Sequence, residues 1–135
     1  MGLFGKKKEK VPDGIRMMFY DGELPGFMCN FPCQLLLTDE VLRITKINPY
    51  VEVNLERSRI TSIDFYEERQ YMQKFKGNAA FTSKSGETSY YVVNYISKDG
   101  MGKHLDFWAD PFSGIKMMKM IKEFMKSQKS TSYEI

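Results

Sequence analysis

The chain has 135 residues, of which 42% are hydrophobic and 14% aromatic, so it can fold as one domain around one core. Its 20 basic and 17 acidic residues leave a formal net charge of +3, which is too balanced to indicate nucleic-acid binding. The longest stretch without a charged residue, residues 24–38, contains two prolines and is too short to span a bilayer.

Residues 1–12 predict a flexible basic tail ahead of the folded domain. The tail lacks the apolar stretch of a signal peptide, so we expect a cytoplasmic protein. It also lacks an acylation motif, because a lysine occupies position 6, where that motif requires Ser or Thr. Two roles stay open for the tail: it solubilises the chain, or it makes weak, salt-sensitive contact with the inner face of the membrane. The candidate membrane contacts are Leu3, Phe4, Lys6, Lys7, Lys8 and Lys10.

Alternating apolar residues and turn signals predict five strands before residue 67. Residues 21–32, which are interrupted by Pro and Gly, indicate irregular or edge structure. Thr38-Asp39-Glu40 predicts the turn of a hairpin. Ile60, Ile63 and Phe65 do not alternate strictly, which indicates a bulge in the fifth strand. The predicted strands are residues 15–20, 33–37, 41–47, 51–55 and 59–66.

The signal weakens over residues 67–88, although residues 79–82 could pair with residues 90–97 around Ser85-Gly86. Residues 90–96 are apolar on both faces apart from Asn94, as expected of a central strand. In the next strand, residues 103–109, alternation divides the side chains between two faces. Leu105 and Phe107 share one face, and His104, Asp106 and Trp108 share the other.

A single helix is predicted over residues 111–127, because Asp110 can cap its start and Pro111 suits its first position. At 100° per residue, apolar and charged residues divide between two faces. The apolar face is Met117, Met118, Met120, Ile121, Phe124 and Met125, and the charged face is Lys116, Lys119, Lys122, Glu123 and Lys126. We therefore expect one domain over residues 13–128 and a flexible tail over residues 129–135.

Three segments, residues 33–44, 53–63 and 91–100 with the helix that follows them, resemble the bacterial pleckstrin-homology-like (PH-like) domains. The resemblance covers residues from about 33 to 127 and implies a mainly β fold. About seven antiparallel strands would form a bent sandwich or partly open barrel closed by the helix. The hairpin turn that binds inositol phosphates in eukaryotic relatives is acidic here, which argues against that ligand. The resemblance implies a non-catalytic interaction module, although a fold alone does not define a function.

Few residues are candidates for metal binding or catalysis. Cys29 and Cys33 cannot complete a four-ligand zinc site with the single histidine, so we expect two buried free thiols and no metal. His104 and Asp106 share a strand face and could act as a base and its orienting group, but no nucleophile accompanies them. We favour a solvated strand face for this pair and expect no catalytic residue. No glycine-rich phosphate loop is present, and no cofactor is expected.

Aromatic and basic residues alternate between positions 66 and 76, a composition that is common in interfaces. The candidate partner surface is Tyr66, Arg69, Tyr71, Lys74, Phe75 and Lys76. An ordinary long hairpin with a solvated charged face is the alternative. The sequence thus favours a module that binds a protein partner or a second copy of itself. The second hypothesis is a peripheral membrane adaptor that uses the tail. A small-ligand-binding sandwich or an unrecognised enzyme comes third.

Overall fold

The computed structural model describes residues 10–77 and 88–129. Seven antiparallel strands form one open sheet in the order β4-β3-β2-β1-β7-β6-β5. Strands β1 to β4 follow one another as neighbours, as do β5 to β7, and pairing of β1 with β7 joins the two halves. The strands are β1 Ile15–Asp21, β2 Phe31–Leu37, β3 Val41–Lys46, β4 Val51–Glu56, β5 Ile60–Glu67, β6 Ser89–Ile96 and β7 Gly102–Ala109.

The predicted strands are confirmed, and the fold is mainly β with a single long helix after the strands. The hairpin turn between β2 and β3 is held by the Thr38 hydroxyl, which accepts hydrogen bonds from the backbone N–H groups of Glu40 and Val41. The register between β5 and β6 shifts between Ile60 and Ser62, which confirms the bulge. A short 3-10 turn, Arg57–Arg59, connects β4 to β5.

The long helix α2, Pro111–Lys129, covers one face of the sheet. Asp110 caps it as predicted, because its Oδ1 accepts a hydrogen bond of 2.9 Å from the Ser113 N–H. Met118 and Met125 correct the predicted apolar face, since they are 41% and 47% exposed. Both lie at the edge of the buried arc, about 90° from its centre at 100° per residue. The buried residues of that face are Met117, Met120, Ile121 and Phe124.

The opposite face of the sheet is also covered. There a short helix α1, Glu68–Tyr71, continues into a π-helical turn, Met72–Lys76; we call residues 68–76 the cover helix. Because side chains alternate along β6, Tyr91 and Val93 point into the core under α2, whereas Tyr90 and Val92 point toward the cover helix. This explains why β6 is apolar on both faces. The alternative of a long hairpin at residues 67–76 is wrong.

Several predictions fall on other parts of the chain. The suggested pairing of residues 79–82 lies outside the described residues, and both edges of β6 are paired with β5 and β7. Residues 1–9 and 130–135 also lie outside them, so the tail boundaries stay predictions. Neither of the described helices combines the length and the apolar character required to cross a bilayer.

Candidate functional site

The cover helix begins and ends at clear local signals. At its start, the backbone N–H of Glu67 donates a hydrogen bond of 3.1 Å to Oε1 of Gln70, one half of a capping box. At its end, Gly77 has φ +66°, the left-handed conformation that favours glycine. A helix start with Glu and Gln three residues apart and a glycine stop was therefore readable in the sequence between residues 67 and 77, and it was missed.

Aromatic rings fix the cover helix to the sheet. The ring of Tyr71 stacks on that of Tyr90, with centroids 4.2 Å apart and planes at 10°, and on Phe75 at 4.9 Å. Tyr20 meets Tyr71 edge-on at 5.7 Å. The cover helix thus places the Tyr71 ring directly over β6. Such paired rings contribute about 0.5–1.5 kcal/mol each beyond their buried area.

Beneath the cover helix lies a buried carboxylate. Asp106 is 0% exposed, and its Oδ2 accepts a hydrogen bond of 2.5 Å from the Tyr71 hydroxyl. Its Oδ1 lies 2.6 Å from Nδ1 of His104. We call Tyr71, Asp106 and His104 the polar cluster. The expected solvated strand face is wrong here, because the cover helix excludes solvent from Asp106 and two donors take the place of water.

The polar cluster has a defined electrostatic character. Burial and the hydrogen bond to Asp106 raise the pKa of the Tyr71 hydroxyl above its usual range, so Tyr71 stays a donor at all ordinary pH values. The contact with Oδ1 of Asp106 uses Nδ1 of His104, so Nε2 of the same ring is the nitrogen that points away from Asp106. The His104 side chain is partly exposed, and the ring of Phe75 lies 5.4 Å from its own.

The sequence-predicted pair His104 and Asp106 therefore has the geometry of a base and its orienting group. A base and its orienting group act in nucleophilic catalysis only when a nucleophilic side chain lies beside the base. The shallow pocket beside His104 is lined, among the described residues, by side chains without a hydroxyl or thiol group. They are Asp21, Gly22, Glu23, Gly102 and Lys103.

Two ion pairs border this pocket. Nζ of Lys76 lies 2.6 Å from Oδ2 of Asp21, and Nζ of Lys103 lies 2.7 Å from Oε1 of Glu23. The first contact lowers the pKa of the Asp21 carboxyl and raises the pKa of the Lys76 ammonium. All four side chains retain solvent contact, so each pair contributes little to stability. Lys76 is thus partly used by an internal contact.

The six predicted partner residues do not form one exposed surface. Tyr71 is a correction, because it is 0% exposed and faces Asp106 rather than solvent. Tyr66 and Phe75 are half-buried against each other with centroids 5.5 Å apart. Arg69 and Lys74 are exposed, as is Lys76 beside Asp21.

A groove lies where the cover helix meets the edge of the sheet. We call it the edge groove; Phe65, Tyr66, Gln70, Gln73 and Lys74 line it. Nζ of Lys74 lies 5.3 Å from the Tyr66 ring centroid, within range of a cation–π contact. Strand β5 ends the sheet here, so within the described residues it pairs only with β6. In the described part of the chain, the outer edge of β5 beside this groove therefore has no neighbouring strand, and aromatic, amide and basic side chains lie next to it.

The two cysteines differ in their exposure. Cys33 is buried as predicted, whereas Cys29 is exposed, because it lies in the loop between β1 and β2 where strand alternation does not apply. Across residues 10–77 and 88–129, no three His, Cys, Asp or Glu side chains are grouped so as to hold a metal ion. Of the candidate membrane contacts, Lys10 is exposed and the other five lie outside the described residues.

Comparison with known protein families finds no matching family model. Comparison with curated proteins finds no matching sequence.

Proposed function

We propose that this protein is a non-catalytic interaction module of the PH-like type that binds an extended segment of a protein partner along β5. The observation that carries the proposal is the position of β5 at the end of the sheet, directly beside the edge groove. The strand order and the helix that packs over one face of the sheet support the PH-like assignment.

An added strand would gain its affinity from backbone hydrogen bonds to β5 and its selectivity from alternate side chains. Phe65 is 43% exposed, so it offers an apolar contact to one face of such a segment. Arg69 and Lys74 carry positive charge at the adjoining helical surface. The chemistry fits a partner segment that combines β-forming residues with one or more Asp or Glu side chains.

A second copy of this chain is a poorer occupant of the same edge. Pairing of two β5 strands would bring the carboxylates of Asp64 and Glu67 from both copies into one short ribbon. Like charges across a strand pair are destabilising. A different protein segment avoids this repulsion when its acidic residues lie beside Arg69 and Lys74 and not opposite Asp64 and Glu67. We therefore favour a different protein as the partner.

Selection from a displayed library of random peptides would test the proposal, with binding to the full chain mapped by amide chemical shifts. We expect enriched peptides to contain β-forming and acidic residues and to shift the amides of β5 and of residues 68–76. Lys74→Glu should weaken binding about tenfold or more, because it reverses a charge at the groove. Lys98→Glu, an equal charge change in the turn between β6 and β7, is the matched control and should leave affinity unchanged.

Two results would contradict the proposal. One is that no peptide with measurable affinity is selected, and the other is that shifts map to the loops or to α2 while β5 stays unperturbed. Equal weakening by Lys74→Glu and Lys98→Glu would indicate unspecific charge attraction instead of a site.

A further inference from the structure

Helix α2 exposes large apolar side chains on the surface that faces away from the sheet. Phe112 is 84% exposed and Ile115 is 63% exposed. They are three residues apart, so they are neighbours on the first turns of the helix. Helical periodicity places both within about 60° of the outward direction, opposite the buried Met117 and Phe124. Phe112 and Ile115 therefore form an apolar surface that is separate from the core under α2.

Lysines continue the same outward surface along the helix. Lys116, Lys119, Lys122 and Lys126 are all exposed, and each follows the previous one after about one helical turn. Glu123, the only acidic residue in the sequence of α2, is exposed on the same surface, so lysines outnumber acidic residues there by four to one. Within the described part of the chain, none of these four lysines is found in an ion pair. The outward surface therefore carries a net positive charge.

Together these residues form a sector of about 120° that combines two exposed apolar side chains at one end with four ammonium groups along its length. We call it the α2 outer face. It is convex, since it is the ridge of a helix that lies on the sheet. A helix of 19 residues is about 28 Å long, so the contact could extend over several lipid headgroups.

We propose that the α2 outer face binds an anionic membrane surface, with Phe112 and Ile115 inserted at the acyl boundary and the lysines paired with acidic headgroups. Basic helices with exposed aromatic and aliphatic residues bind in the membrane interface in this way. Long lysine stems can also lie along an apolar surface while their ammonium groups reach the headgroups.

Charge and shape favour lipid over the other occupants. A second copy would bring four lysines against four lysines, which repels. A protein groove would have to be both acidic and concave around a helix ridge, whereas a bilayer surface adapts to a convex contact. The helix already packs on the sheet through Met117, Met120, Ile121 and Phe124, so docking requires no unfolding. The surface is also separate from the edge groove beside β5.

Co-sedimentation of the full chain with vesicles tests this proposal, with equimolar phosphatidylserine and phosphatidylcholine compared with phosphatidylcholine alone. We expect binding to the anionic vesicles that falls as salt is raised. The triple change Lys116→Glu, Lys119→Glu and Lys122→Glu should lower the partition coefficient by at least about a hundredfold, since each lysine near such a surface contributes about fivefold. Phe112→Ser with Ile115→Ser should lower it about tenfold or more.

The matched control reverses three charges elsewhere: Lys6→Glu, Lys7→Glu and Lys8→Glu. This variant should keep most of the binding if the α2 outer face is the principal contact. Loss of binding in the control with retention in both helix variants would overturn the proposal and assign the contact to the tail. Absence of sedimentation with either vesicle at low salt would also overturn it, as would equal binding to both vesicles. All altered residues in the helix are exposed, so an unchanged melting temperature should accompany each helix variant.

Discussion

The two faces of the sheet are covered by helices that use different physical interactions. Under α2 the contacts are mainly aliphatic, sulphur-containing and aromatic side chains, including Met117 and Phe124, and the charged group that reaches them is the Arg57 guanidinium, 5.9 Å from the Phe124 ring centroid. Under the cover helix they are stacked tyrosines around the buried carboxylate of Asp106. Apolar packing is non-directional and proportional to buried area, whereas hydrogen bonds and ring stacking depend on geometry. We infer that α2 supplies most of the stability and that the cover helix fixes the positions of particular side chains.

The largest expected effect lies under α2. Phe124 is 2% exposed in the core, so Phe124→Ala should lower the free energy of unfolding by about 3–5 kcal/mol through lost transfer energy and a cavity. Phe75→Ala in the cover helix is the matched control and should cost less, because Phe75 is only partly buried. Urea unfolding measures both. Equal losses would break the distinction between the two faces.

The core under α2 should also respond to alkali. Burial raises the pKa of the Cys33 thiol to about 12, above its ordinary value of 9.0. The unfolded chain therefore loses this proton first, so the contribution of Cys33 is complete below pH 9 and is lost as pH rises toward 12. The loss reaches about 4 kcal/mol at most, from three pKa units.

Urea midpoints between pH 8 and pH 11 measure this loss. Tyr71 and Tyr90, whose pKa values are also raised by burial, add to the fall at the upper end of the range. Cys33→Ala should flatten the profile between pH 9 and pH 10. Cys29→Ala, at the exposed cysteine, should leave its shape unchanged. If both variants give the same profile, the Cys33 site is not shielded from solvent.

A smaller effect is expected in the polar cluster. Tyr71→Phe keeps the stacked ring but removes the hydroxyl that donates to Asp106, so it should cost about 1–3 kcal/mol. Tyr90→Phe, which alters the other ring of the same stack, is the control and should cost less. The comparison fails if the two changes are equal. Amide hydrogen exchange of residues 68–76 should also quicken in Tyr71→Phe alone, because the cover helix loses its directional contact.

Much of the fold was readable from local pattern, whereas most of the candidate site was not. Alternation predicted the strands because one face of each is buried, and Asp110 with Pro111 predicted the start of α2. The sequence also placed His104 and Asp106 on one face of β7. It could not show that Asp106 is buried, because the group that covers it, Tyr71, lies 35 residues earlier.

The cover helix has end signals in the sequence, at Glu67, Gln70 and Gly77, but no periodic pattern between them. It is too short for hydrophobic periodicity to stand out, and its stability comes from contact with the sheet rather than from helix propensity. Tyr71 was accordingly assigned to an exposed surface, although its burial follows from the position of the helix over Tyr90. Such a contact depends on how distant segments are arranged, which a local pattern does not record.

The smallest expected effect separates the pocket beside His104 from the polar cluster behind it. Lys76→Ala removes the ion pair with Asp21, whose members both retain solvent contact, so it should cost only about 0.2–1 kcal/mol. High salt should reduce that cost further, whereas the cost of Tyr71→Phe should hardly change, because buried interactions are screened much less. Unfolding of both variants at low and high salt measures this difference. A salt-independent loss in Lys76→Ala that equals the loss in Tyr71→Phe would contradict this distinction. It would mean that Lys76 holds the cover helix in place and belongs with the buried polar cluster, not with the exposed ion pairs.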